Sequence, residues 1–88
     1  MGVRQEIRWL KANKDRADLF VLIAKRGPMR VRELREFLSS DDWWPVKVHI
    51  QDMLEKDLVE ETEDGFKTTD FGEKVFESLR TVYDIESV

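Results

Sequence analysis

Asp41–Val59 reads DDWWPVKVHIQDMLEKDLV, and how this stretch folds decides how the rest of the chain is read. Stepping 100° per residue from Val46 puts Trp43, Val46, Ile50, Met53, Leu54 and Asp57 in one sector about 100° wide. Trp44, Val48, Gln51, Asp52 and Glu55 fall on the other side. Asp41 or Asp42 is placed to cap the helix N-terminus, and Pro45 sits early enough that its missing N–H costs no hydrogen bond. Lys56-Asp57-Leu58-Val59 reads as a helix stop followed by a strand start. Asp57 falls where the chain must turn, and aspartate tolerates the left-handed conformation better than most residues. The stretch is therefore a helix over 43–57 that runs straight into a strand.

Upstream, Val3, Ile7 and Leu10 form an i, i+4, i+7 stripe, which predicts a short amphipathic helix over 3–12. Trp9 lies off that stripe, and a Trp there needs something to pack against. Lys14–Arg26 is apolar nearly all round from Leu19 to Ala24 and belongs at the centre of the core. Gly27-Pro28 ends it. Residues 29–31 make a short edge strand, and Leu34, Phe37 and Leu38 give a helix over 32–39. Ser39-Ser40-Asp41-Asp42 is a polar turn. Downstream, Asp64-Gly65 marks a hairpin inside a wing over 58–68. Thr68-Thr69-Asp70 caps a last helix over 70–84, with Phe71, Val75, Leu79 and Val82 in one stripe widened by Phe76 and Tyr83.

Eighty-eight residues suit one domain, 1–88, with one small core. There is no cysteine, which excludes disulfides, zinc–thiolate sites and thiol nucleophiles. The longest apolar run, Leu19–Ala24, is far too short to span a bilayer, and the N-terminus has no signal-peptide core. A cytoplasmic protein without a membrane partner is expected. Charged residues reach 39%, against roughly a quarter in average proteins, a lean shared with hyperthermophile proteins. Charge is also uneven. Residues 1–40 carry ten Lys/Arg and five Asp/Glu, whereas residues 41–88 carry five and fourteen. The basic half suits a polyanion, and dense mixed surface charge is the plainer explanation. One histidine, no glycine-rich phosphate loop and no metal-spaced ligands argue against an enzyme, a cofactor or a bound metal.

The order helix, helix, short strand, helix, helix, hairpin, helix is mainly α with a small β-hairpin wing, an α+β layout. It resembles the winged helix-turn-helix family with an extra N-terminal helix. Met29–Leu38 (MRVRELREFL) resembles the strand and first helix of the helix-turn-helix, and Val46–Val59 its recognition helix and entry to the wing. Phe66–Val75 (FKTTDFGEKV) is similar to the Thr-x-x-Gly passage from wing to last helix in MarR-like and related archaeal regulators. The resemblance spans residues 14–80 and implies a dimeric transcription regulator that reads double-stranded DNA with helix 43–57 and the wing.

On that resemblance Arg30, Arg32, Trp44, Lys47, Val48, Gln51 and Lys67 are the DNA-contacting residues. Gln51 offers base recognition, and the cations meet phosphates. Ile7, Trp9, Leu10, Phe76, Leu79, Val82 and Tyr83 exceed what one small core needs, which points to a homodimer seam. Trp43 is expected in the core, and His49, flanking the apolar face, in a structural role. A second reading stays open: a winged helix that binds a protein partner through its Trp44/Val48 face, with little DNA binding. The apolar outward face and the acidic wing Glu60-Glu61-Thr62-Glu63-Asp64 favour that second reading.

Overall fold

The helix α2 lies at the centre because its sequence from Leu19 to Ala24 leaves no polar face to expose. In the computed structural model, which describes residues 2–38, 44–86 and 88, it spans Lys14–Arg26. Every residue from Ala17 to Ile23 is buried. Its N-terminus is closed by Asn13, whose side chain accepts the Arg16 N–H at 3.1 Å. Around it stand α1 (Val3–Lys11), α3 (Val31–Leu38), α4 (Trp44–Glu55) and α5 (Asp70–Leu79). One antiparallel hairpin of β1 (Val59–Thr62) and β2 (Gly65–Thr68) completes the chain. This is a mostly helical α+β arrangement, compatible with a winged helix.

The exit from α4 shows how tightly local chemistry sets the path. Asp57 takes φ 60°, the Leu58 N–H donates to Met53 O at 2.9 Å, and the Asp57 N–H donates to Leu54 O at 3.1 Å. These are the paired bonds of a Schellman motif with Asp57 as its left-handed residue. Leu58 and Met53, the two residues such a motif brings together, are both fully buried. The helix therefore stops at Glu55 and the strand begins at Val59. Trp43 and the polar turn 39–42 lie outside the described residues.

The strand expected over 29–31 shrinks to one bridge. Met29 exchanges both backbone hydrogen bonds with Phe66, at 2.9 and 2.7 Å, and Val31 already begins α3. The reason is Glu33, whose carboxylate accepts the Arg30 N–H at 3.1 Å and starts the helix one residue early. The hairpin pairs Val59 with Thr68 and Thr62 with Gly65 around the loop Glu63-Asp64. Gly65 itself, not Asp64, takes positive φ (131°). A side chain there would also strike the Met29 backbone, with a Cβ only 2.5 Å from its carbonyl carbon.

The last helix begins at a cap shared with the α4 exit. Thr69 Oγ1 accepts the Gly72 N–H at 2.9 Å and donates to the Asp57 carbonyl. It ends at Leu79 rather than running to residue 84. Beyond it the chain folds back over α2, where Tyr83 Oη donates to Asp18 at 2.6 Å. Lys25 Nζ then donates to the carbonyls of Ile85 and Val88 at 3.1 and 2.9 Å. Those contacts with α2 accompany the loss of the five residues, 80–84, that helical periodicity alone would have kept in the helix.

Candidate interaction face

Helix α4 buries Val46, Ile50 and Met53 and turns Trp44, Lys47, Val48, Gln51 and Glu55 outward. Trp44 is 60% exposed and Val48, one turn on, is 38% exposed. With Lys47, Gln51 and Asp52 they line one shallow hollow. An indole this open on a small domain is unusual, because Trp side chains are highly buried on average. A second hollow lies between the start of α3, α4 and the hairpin. It gathers Arg30, Arg32, Lys47 and Gln51, and also Glu61 and Glu63.

The cations of that cleft are not simply held out to solvent. Arg30 Nη2 donates to the Glu63 carbonyl at 3.1 Å, which ties the guanidinium to the hairpin tip. Lys67 stands across the hairpin from Glu60, 3.9 Å away, with both side chains about half exposed. That contact is screened and worth little. The face as a whole carries Asp52, Glu55, Glu60, Glu61, Glu63 and Asp64 against Arg30, Arg32, Lys47 and Lys67. Its net sign is negative.

Four of the seven proposed DNA-contacting residues thus share the cleft, Trp44 and Val48 adjoin it on α4, and Lys67 stands on β2. The residues proposed for a dimer seam divide differently. Leu10 and Leu79 have no exposed surface and Phe76 is buried, all within this one chain. They belong to the core because α1 and α5 pack on α2 and on each other. Tyr83 is half-buried on Asp18. Its hydroxyl pKa is raised by burial first and by the Asp18 carboxylate second. Trp9 packs inside the chain, with the Arg16 guanidinium 4.1 Å and Lys56 Nζ 4.8 Å from its ring centroid. Ile7 is half-buried, and Val82 remains 53% exposed.

Sequence reasoning missed the group beneath Trp9. Glu6 is 2% exposed, with Oε1 accepting from Lys56 Nζ at 3.2 Å. Its Oε2 is buried with no hydrogen-bond partner among the described residues. The signal was available: Glu6 stands four residues before Leu10 and three after Val3, on the inward side of α1. His49 is half-buried, and its pKa is lowered by desolvation and then by the nearby Arg16 charge.

No protein-family model matches the chain. No curated protein matches it either. Among solved structures it is similar to a transcription-factor domain of the same helix-and-hairpin design. That structure is the activation domain of the phage T4 transcription factor MotA. It superimposes with a TM-score of 0.71 at 27% identity, over 85% of this chain and 79% of that one. Among the described residues no helix is long and apolar enough to cross a membrane, and no cluster of His, Cys, Asp or Glu could hold a metal ion.

Proposed function

We propose that this chain is a non-enzymatic interaction domain in transcription, binding a protein partner through the outward face of α4. The observation that carries the reading is Trp44, 60% exposed one turn before Val48, on a face whose other charges are mostly acidic. Trp is among the residues most enriched at protein-binding hot spots. The likeness to an activation domain supports the same class. Fused to an unrelated DNA-binding domain, the wild-type chain should raise transcription from a reporter carrying that domain's site. Trp44→Ala and Val48→Asp should return it to the basal level while circular dichroism stays unchanged. Full activity in both variants would sink the reading.

A second reading, duplex DNA, is favoured by the convergence of Arg30, Arg32, Lys47 and Gln51 on one cleft. It is the reading that the MarR-like resemblance implied, and Arg and Gln are side-chain types suited to phosphates and base edges. The carboxylates of Glu61 and Glu63 in the same cleft weigh against it, since a phosphate backbone there meets negative charge. A homodimer has less support than the sequence implied, because Leu10, Phe76 and Leu79 are already covered by the chain itself.

A further inference from the structure

Helix α1 has one stripe that the core does not fully use and one row of charge without an ion-pair partner among the described residues. Val3 and Ile7 are only half-buried, and they share a hollow with Val82, the 53%-exposed residue just beyond α5. Arg4, Arg8 and Lys11 border that hollow, and every ionisable side chain lining it is a cation. Their spacing, i, i+4, i+7, sets them in one row along α1. Among the described residues none of the three is in an ion pair, although 39% of the chain is charged. An apolar floor with an unanswered cationic edge defines the chemistry of what would cover it.

From this we infer that the α1/α5 groove docks an amphipathic helix of a partner protein, with its apolar stripe on Val3, Ile7 and Val82 and its carboxylates against Arg4, Arg8 and Lys11. The nine residues of α1 run about 13 Å, enough to seat two turns or more of such a helix. A second copy of this chain fits worse. A two-fold pairing would set the patch against itself and bring no carboxylate to it, since its ionisable residues are all cations. A duplex would answer the charge but would bury the apolar floor against phosphates. This surface shares no residue with the α4 face, so the inference goes beyond the proposed function and stands or falls separately.

The test uses two fluorescein-labelled designed helices with the same leucine stripe, one flanked by glutamates and its twin by lysines. At about 100 μM protein the glutamate probe should bind saturably and the lysine probe should not. Val82→Glu should weaken the glutamate probe about tenfold or more, and Trp44→Ala should leave it unchanged. The triple change Arg4→Glu, Arg8→Glu, Lys11→Glu should reverse the preference to the lysine probe, with the fold checked by circular dichroism. Absence of glutamate-probe binding, or no reversal in the triple variant, overturns the inference. So does sedimentation equilibrium showing a dimer that Val82→Glu dissociates, which would make a second copy the occupant. Phosphatidylserine vesicles or a duplex binding through the same cations, with no competition from the glutamate probe, overturn it as well.

Discussion

The contact with most at stake for a single side chain is Glu6 with Lys56, because one member is nearly inaccessible and has half of its carboxylate unanswered. Removing the partner of a buried charge is far more damaging than removing both. Lys56→Ala should cost ~3–5 kcal/mol in urea unfolding, and the double change Glu6→Leu with Lys56→Met much less. Equal losses in the two variants would mean the pair is not coupled. Lys56 also covers the Trp9 ring, so part of the single-variant loss is packing. His49 gives a pH dependence of definite sign. Its pKa is lowered in the folded chain by desolvation, so between that value and the ordinary 6.5 the unfolded chain holds more protons. Its contribution to stability is therefore present above 6.5 and is lost as pH falls through the folded value. Replacing His49 by Gln should flatten the stability profile below pH 6.5, measured by urea midpoints. A steeper profile in the variant would reverse the assignment.

At the level of the element, the α4 exit and the α5 cap behave as one joint, since Thr69 Oγ1 donates to the carbonyl of the left-handed Asp57. Asp57→Gly relieves the left-handed penalty and keeps that carbonyl, so it should stabilise the protein by about 0.5–1 kcal/mol. Asp57→Val should destabilise it, and calorimetry showing the opposite order would refute the motif. Thr69→Ala should cost about 1–2 kcal/mol through the lost cap alone. Deeper in the elements, Leu22→Ala or Ile50→Ala should each cost ~2–5 kcal/mol, because both side chains are enclosed and leave a cavity. Much of this was legible in the sequence. The left-handed Asp57, the Thr69 cap and the α2 core all rest on local rules of capping and periodicity. What was not legible depended on distant partners. Met29 pairs with Phe66 across the chain, and Tyr83 leaves helical phase to reach Asp18. Leu10 and Leu79 were legible as apolar, but not as facing α2 rather than a second subunit. For the candidate site, the exposure of Trp44 could be read from helix phase, whereas the cleft cations were named through the family resemblance. The tether from Arg30 to the hairpin carbonyl could not, since it is a contact across 33 residues.

For the molecule as a whole, the question is which polyion its surface admits. The net charge is −4, yet the first forty residues are basic and the remainder acidic. Four of the fourteen acids of that remainder lie on the hairpin, where Glu60, Glu61, Glu63 and Asp64 are all exposed. A winged helix that grips DNA needs that element to meet phosphate, and each neutralised phosphate adds to both affinity and salt dependence. Four carboxylates at the tip act in the opposite sense. The wild-type chain should therefore bind a labelled duplex no more tightly than ~10⁻⁴ M near physiological salt, and Arg32→Ala or Lys47→Ala should barely change that value. The informative variant reverses the sign of the wing. Glu60→Lys, Glu61→Lys and Glu63→Lys together should create measurable duplex binding, with a log–log salt slope steeper by roughly two to three. Fluorescence anisotropy at several salt concentrations reads both quantities. A wild-type chain that instead bound one duplex at ~10⁻⁸ M, and lost about 1–3 kcal/mol at a single base position in Gln51→Ala, would establish direct DNA readout. The Trp44 face would then be a groove-facing surface, and the protein-partner reading would have to be abandoned.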